Sequence, residues 1–280
     1  NTAVGNAALK LNTTGTGNTA VGKGALDANT TANYNTAVGL DALGKNTTGT
    51  NNNAFGETAL FSNTTGDNNQ AIGRGALEQN TTASNNSAFG HNALKANTTG
   101  TNNVAVGINA GVSLTSGNNG IFLGKDAGLT GSPGGNITSA NNILVIGDEN
   151  ITASNIQVDW TVASDQRDKT DFTALDLGLD FVKALAPVTY KWDKRSKYGD
   201  KTADDYDLNA QTPDGTHKED WLDIGFKAQE VQALEEAAGY TTAAKKNLTV
   251  STSGDGKQIG LQYSKFVPIL VKALQELSEK

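Results

Sequence analysis

The sequence predicts a mainly β N-terminal part, built as a solenoid of 17-residue repeats, followed by an α+β domain that ends in a helix. Three observations lead to this prediction. A glycine recurs every 17 residues from Gly5 to Gly124. Residues 1–163 hold only six of the 22 Lys and Arg residues and nine of the 29 Asp and Glu residues. Helical and strand-like patterns of ordinary charge density begin only after that point. We therefore place a domain boundary at Ser164.

The repeat reads approximately N-x-A-V-G-x-x-A-L-x-x-N-T-T, with three turn-forming residues before the next unit. Seventeen residues are too few for a helical-hairpin repeat. Short β-branched runs between glycine and asparagine are typical of strands and turns. The economical interpretation is one solenoid coil per repeat over residues 1–129, with coils spaced by about 4.8 Å. The repeated asparagines would form amide ladders, serve turn geometry, or do both.

Two apolar columns occupy neighbouring strand positions in every repeat. Neighbouring strand residues point in opposite directions, so both faces of this strand are expected to be buried. One face would fill the coil, and the small alanines would allow other chains to approach closely. The alternative is a flattened coil that buries both faces within one chain. The columns are Ala3, Ala20, Ala37, Ala54, Ala71, Ala88 and Ala105, and Val4, Val21, Val38, Phe55, Ile72, Phe89 and Val106.

The segment 130–163 connects the repeats to the C-terminal domain. A stretch rich in glycine and serine breaks the period after residue 129. Ile143 to Gly147 repeats the apolar pattern once more, which predicts a final coil, and the alternation from Ile156 to Val162 predicts a connecting strand.

Residues 164–280 carry alternating helix and strand signals. Helices are predicted for 174–186, stopped by Pro187, and for 228–238. Strands are predicted for 188–192 and 223–226, and a hairpin for 248–263 across the turn at 253–256.

The last helix is predicted to begin with Ser264 as N-cap and to hold Pro268 in its first turn. Its 3-4-3 apolar spacing matches the seam of a coiled coil. A helix packed on its own domain would have the same spacing, so this stretch alone leaves both interpretations open. The seam residues are Val267, Leu270, Leu274 and Leu277.

Composition excludes several functions. The net charge of −7 and pI of about 4.9 argue against a nucleic-acid partner. No cysteine is present, so thiol catalysis and cysteine-bound metals are excluded, and we predict no cofactor and no metal. No apolar run is long enough to insert into a membrane. Because the chain opens at Asn1 inside a repeat and has no methionine, we expect it to be a fragment of a longer protein.

The repeats N-T-A-V-G and N-N-A-F-G resemble the head repeats of trimeric bacterial adhesins and the collar regions of phage fibres. This resemblance covers about residues 1–129. It implies a left-handed parallel β-roll in a threefold assembly.

Four ordered motifs in residues 164–280 resemble the C-terminal intramolecular chaperone of phage tailspikes and tail fibres, of the endosialidase tailspike type. The resemblance implies a domain that forms a homotrimer, directs folding of the upstream β-structure and then cuts itself off. It assigns the catalytic serine and lysine to Ser164 and Lys169. Asp168 departs from the family, which more often has an apolar residue there. The motifs are Ser164-Asp165 with Arg167 and Lys169, then 186–192, 225–231 and 263–268.

A serine hydroxyl needs a base to become a nucleophile, and a lysine supplies one when burial lowers its pKa. Attack on the Ala163 carbonyl passes through a five-membered ring, which favours the Ala163–Ser164 bond. Cleavage at Ser164–Asp165 would need a hydroxyl from a neighbouring chain. Asp165 and Asp168 are candidate modulators of the reaction.

We therefore expect a tail fibre or tailspike fragment, located on the virion and acting through the fibre on a host-cell receptor. One alternative is a bacterial trimeric surface adhesin with the same self-cleaving domain. The other is a glycan- or ice-binding solenoid that presents the threonine column Thr13, Thr30, Thr47, Thr64, Thr81 and Thr98.

Overall fold

The structure, a computed structural model, describes residues 1–151, 153–155, 162–200, 205–244, 246, 248–253 and 255–279. The chain divides into two compact units, Asn1–Ile151 with Asp200–Leu208, and Thr152–Gly199 with Asn209–Lys280. The strand predicted for residues 156–162 lies outside the described residues except at Val162. The domain boundaries that we drew at residues 129 and 163 stay a prediction.

The N-terminal unit is a solenoid of parallel strands stacked in sequence order, as predicted. Ala20 pairs with Ala37, and the same step of 17 residues relates each strand to the next as far as β8. The last step is 23 residues and pairs Phe122 with Val145, which confirms the predicted final coil. The strands are β1 (Thr2–Val4), β2 (Thr19–Val21), β3 (Thr36–Val38), β4 (Asn53–Phe55), β5 (Gln70–Ile72), β6 (Ser87–Phe89), β7 (Val104–Val106), β8 (Ile121–Leu123) and β9 (Leu144–Ile146).

The glycine after each strand is required by its surroundings. Gly22 has a φ of +138°, and a Cβ built on it would lie 2.3 Å from the carbonyl oxygen of Gly39 in the next coil. Only glycine tolerates both this backbone angle and this approach. The period visible in the sequence is therefore the spacing of close backbone contacts between coils.

Two asparagine columns run through the interior and form amide ladders. In the first, the Asn35 backbone N–H donates to Asn18 Oδ1 at 2.9 Å, and Asn35 Nδ2 donates to the Gly49 carbonyl at 2.8 Å. In the second, Asn63 Nδ2 donates to Asn46 Oδ1 at 2.8 Å. Buried amides are tolerated only when they are hydrogen-bonded. The predicted ladder is confirmed, since each amide bonds to a neighbouring coil.

The two apolar columns face opposite ways, but our expectation for the alanines was wrong. Ala20 and Ala37 are fully buried inside the coil, whereas Phe55 and Ile72 point outwards with about 40% of their surface exposed. The coil interior is narrow and already holds a leucine and two asparagines per turn, so only a methyl group fits there. The surface available to other chains is formed by the larger residues.

The alanine column ends at Phe122, which is fully buried. Cβ atoms built on Gly111, Gly120 or Gly128 would lie within 3.0 Å of the Phe122 ring. These three glycines make room for the ring, which fills the core of the penultimate coil. The longer final coil then adds Ile137 to the same core.

The hydroxyl groups of the threonine column donate hydrogen bonds to backbone carbonyls of the next coil. Thr30 Oγ1 donates to the Thr47 carbonyl at 3.1 Å, and Thr47 Oγ1 donates to the Thr64 carbonyl at 2.9 Å. The same bond recurs from Thr13 to Thr98. These hydroxyl hydrogens stabilise the stacking of coils and are not presented to a ligand.

In its described residues, the C-terminal unit has two antiparallel strand pairs and three α-helices. β10 pairs with β11, and β12 pairs with β13 in the predicted hairpin. Its core contains Leu177, Phe181, Val231, Val250 and Ile269. The elements are α1 (Leu179–Ala184), β10 (Val188–Tyr190), β11 (Asp223–Gly225), α2 (Ala228–Ala237), β12 (Val250–Thr252), β13 (Ile259–Leu261) and α3 (Phe266–Ser278).

Two helix boundaries differ from prediction. The helix predicted for 174–186 spans only α1, because its N-terminus is set by Glu276, whose carboxylate accepts the Leu179 N–H at 2.7 Å and lies where a Cβ of Gly178 would be. Ser264 does not cap α3, because it lies in a 3₁₀ turn, Tyr263–Lys265, that leads directly into the helix. Pro268 is in the first turn of α3, as predicted.

Candidate active site

The segment that carries Ser164 and Lys169 is folded by a single 3₁₀ turn, Gln166–Asp168. Asp165 precedes the turn with an extended backbone, and its Oδ1 accepts the Arg167 backbone N–H at 2.9 Å. The Lys169 N–H donates to the Gln166 carbonyl at 3.2 Å and closes the turn. Aspartate is a favoured residue at such a cap because its short carboxylate reaches the free N–H groups.

The turn brings together the two residues that the sequence singled out. Lys169 Nζ lies 2.6 Å from Ser164 Oγ and donates a hydrogen bond to it. Five residues of extended chain would separate their Cα atoms by about 17 Å, so the turn is what makes this contact. A base must lie within about 2.6–3.2 Å of the group from which it takes a proton. The distance therefore suits a serine nucleophile with a lysine base.

Arg167 forms a two-pronged ion pair with Asp165. Arg167 Nε lies 3.0 Å from Asp165 Oδ1, and Nη2 lies 2.6 Å from Oδ2. The side-chain hydrogen bond from Arg167 lowers the pKa of Asp165 below its ordinary value of 3.8, and the backbone bond from Arg167 acts in the same direction. In the sequence Arg167 stands out only as part of a motif, and its spacing of two from Asp165 does not by itself indicate a pair.

The remaining predicted site residues are all exposed. Ala163 precedes the nucleophile directly, and Asp168 precedes the lysine directly at the end of the turn. Every residue from Val162 to Ala174 is exposed in the single chain. Burial is what makes a lysine amine a base at neutral pH, and the single chain supplies none at this segment.

The two histidines lie elsewhere. His91 is exposed on the solenoid. His217 packs edge-on against Tyr198, with ring centroids 4.8 Å apart.

Helix α3 packs on its own domain and also exposes apolar residues, whereas a coiled coil stays a prediction. Phe266, Ile269 and Ala273 are buried against the C-terminal unit. The four predicted seam residues form a neighbouring face of the helix, and between 44% and 65% of each is exposed. Val271, which the 3-4-3 spacing missed, is also exposed there. We call this surface the α3 face: Val267, Leu270, Val271, Leu274 and Leu277.

A second exposed apolar group was not predicted. Trp221, Leu222 and Ile224, in and just before β11, have exposed fractions of 84%, 67% and 75%. A two-stranded sheet is marginal until another layer covers it. The alternation of apolar and acidic residues here was too short to indicate a surface rather than a buried strand.

The match with a known family covers part of the C-terminal half of the chain and ends before β12. Residues 164–240 match the family model described as chaperone of endosialidase. The match begins at Ser164 and confirms the resemblance to this family; it contains the first three of the four motifs, whereas the motif at 263–268 lies outside it, and the family's name also classes it among the peptidases. This domain, together with the β-solenoid that precedes it, fits a tailspike-type fragment. No curated protein and no solved structure matches the chain.

Two further searches of the described part of the chain were negative. None of its helices has the length and apolar character that a bilayer span requires. No three acidic or histidine side chains gather there as metal ligands.

Proposed function

We propose that the chain is part of a phage tail fibre or tailspike whose C-terminal unit trimerises, directs the folding of the solenoid and cuts itself off at Ser164. The observation that carries the proposal is the 2.6 Å contact between Ser164 Oγ and Lys169 Nζ. It lies at the first residues of the chaperone-family match.

The solenoid supplies a physical reason for a chaperone. Its strands pair identical residues in successive coils, for example Ala20 with Ala37 and Ala37 with Ala54. Three such chains can align one coil out of register with little loss of energy. Parallel β-structure of this kind also folds slowly and misassembles readily. A non-repetitive trimerising unit at one end would select the correct register.

Two apolar surfaces of the single chain support a trimer. The large residues that follow the alanines face outwards in successive coils, and the α3 face is uncovered. Contiguous exposed apolar surfaces on this scale mark sites of association. Association of three copies would cover each of these surfaces, which agrees with the threefold assembly implied by the resemblance.

The proposed cut uses Ser164 as nucleophile and Lys169 as base. Ser164 Oγ forms a bond to the Ala163 carbonyl carbon, the bond from that carbon to the Ser164 nitrogen breaks, and Lys169 moves the hydroxyl proton to the leaving nitrogen. Water then hydrolyses the resulting ester and releases the two fragments. Assembly would bury Lys169 and so activate it. A hydroxyl from a neighbouring chain would cut Ser164–Asp165 instead.

Denaturing electrophoresis of freshly expressed chain tests the proposal. We expect the parent to yield fragments of residues 1–163 and 164–280, and Ser164→Ala to stay full length and trimeric by light scattering. The mass of the released C-terminal fragment identifies the bond. A parent that stays intact as a trimer, or a Ser164→Ala chain that is cut equally fast, would refute it.

We further propose that the cut solenoid stays on the virion as a host-attachment element and turns over no small molecule. The bonded threonine hydroxyls weigh against a glycan- or ice-binding array on that column. Reproducible glycan hydrolysis by the released rod would contradict this assignment.

A further inference from the structure

The contact between Ser164 and Lys169 depends on a turn that is short and fully exposed. Gln166–Asp168 buries no residue. An isolated 3₁₀ turn of three residues has poor hydrogen-bond geometry and little intrinsic stability. Something other than core packing must therefore hold the nucleophile and the base together.

Asp165 and Arg167 supply that support. One carboxylate oxygen of Asp165 accepts both the Arg167 backbone N–H at 2.9 Å and Arg167 Nε at 3.0 Å, while the other accepts Nη2 at 2.6 Å. A planar guanidinium matches a carboxylate in this two-pronged way, and lysine does not. Among the described residues, these are the only side-chain hydrogen bonds made to the turn besides the Ser164–Lys169 contact itself. We name this pair the Asp165–Arg167 clamp.

The clamp also determines where charge lies beside the nucleophile. A free carboxylate next to Ser164 would compete for the Lys169 ammonium and favour its charged form. In the structure Arg167 occupies both oxygens of Asp165. Arg167 also lowers the pKa of this carboxyl, so the ion pair persists at neutral and alkaline pH and is lost only as the pH falls through that lowered value.

We propose that Asp165 and Arg167 are positioning residues for self-cleavage, which close the turn that sets Lys169 against Ser164 and keep the neighbouring carboxylate away from the lysine. This rests on the proposed function. The clamp acts through Ser164 and Lys169 and needs no contact with the scissile bond.

The test is the first-order rate of self-cleavage of the full chain as a function of pH. We expect Arg167→Ala to cut at least tenfold more slowly than the parent at neutral pH while remaining trimeric. Its pH–rate midpoint should shift to higher pH, because the freed Asp165 carboxylate favours the charged lysine. A variant that only loosens the fold would be slower without moving the midpoint. Arg167→Lys keeps the positive charge but not the two-pronged geometry. Its cleavage rate should therefore lie between that of the parent and that of Arg167→Ala.

A double substitution separates the clamp from two independent effects. Asp165→Ala combined with Arg167→Ala should be no slower than the slower single variant, because both remove one interaction. The matched control is Arg74→Ala, which breaks an exposed arginine pair with Glu57 on the solenoid and should leave the cleavage rate unchanged.

Parent-like rates and midpoints in Arg167→Ala would overturn the proposal. If Arg167→Ala fails to trimerise, Arg167→Lys and Asp165→Asn decide, and parent-like cleavage rates in both would overturn it. Failure of the proposed function itself is distinguishable, because the parent would then not cut, or Ser164→Ala would still cut.

Discussion

The two units of this chain obtain their structure in opposite ways. In the solenoid, hydrogen bonds join buried asparagines to their counterparts 17 positions away, and the same bonds recur in coil after coil. In the C-terminal unit, Glu276 reaches Leu179 across 97 positions, and the buried Glu235 holds the Thr249 N–H at 2.7 Å. The solenoid repeats one small set of contacts, whereas the C-terminal unit uses each contact once.

This difference gives a physical reason for joining a repetitive unit to a non-repetitive one. Because every coil makes the same contacts, these contacts do not determine which coil of one chain aligns with which coil of a neighbouring chain. Contacts that occur only once in a chain can form in only one alignment. A repetitive rod with an outward apolar column therefore benefits from a non-repetitive partner that sets its register.

The largest expected effect is on assembly. The double substitution Leu270→Ser and Leu274→Ser changes only the exposed α3 face, so the C-terminal unit should stay folded while the trimer is lost. Ile269→Ser, one residue away but only 2% exposed, should unfold the unit instead. Light scattering with circular dichroism distinguishes the two outcomes. A stable trimer in the double variant would contradict the role of this face.

The next effect contrasts the same substitution in the two units. A Cβ on Gly39 would lie 2.5 Å from the Gly56 carbonyl oxygen, whereas a Cβ on Gly215 meets nothing within 4 Å. Both glycines have positive φ. We expect Gly39→Ala to cost the solenoid about 4 kcal/mol or more, because strain adds to a backbone clash. Gly215→Ala should cost its unit about 1–2 kcal/mol. Calorimetry measures both, and equal costs would show that the coils are not in close contact at this position.

A smaller loss should follow from breaking one amide ladder. Asn52 donates to the Gly66 carbonyl and accepts the Asn69 N–H, all inside the solenoid. Asn52→Leu leaves both groups unpaired and should cost about 2–4 kcal/mol. The control Asn53→Thr introduces the residue found at Thr19 and Thr36 and should stay within about 0.5 kcal/mol. Similar melting temperatures for the two variants would argue against the ladder.

The smallest effect concerns the charge beside the base. Asp168 lies next to Lys169 in the chain, and a carboxylate beside a base is not needed for the proposed reaction, so Asp168→Leu should cut as fast as the parent or a few-fold faster. Asp168→Asn, which removes the charge at nearly constant size, should behave in the same way. Slower cutting in both would assign Asp168 a supporting role.

The sequence predicted the repeat and the ladders because each depends on spacing along the chain, whereas the serine–lysine pair was predicted only through the resemblance to the chaperone family. It did not predict which face of the strand is interior, since both columns are apolar and only the width of the coil decides between Ala37 and Val38. The helix predicted from the sequence was longer than α1, because Glu276, the residue that sets the start of this helix, lies far away in the sequence. The two-pronged ion pair between Arg167 and Asp165 was not predicted for a different reason. A spacing of two residues does not indicate an ion pair until the turn between them is known.

The central claim is that Ser164 and Lys169 cut the chain after assembly. It is tested most directly by following the intact mass of purified parent and Lys169→Ala chains over time, with trimer content measured in parallel. The account predicts that trimeric parent converts into two fragments that meet at the Ser164 motif, while trimeric Lys169→Ala stays intact. Conversion of Lys169→Ala at the parent rate would falsify the claim.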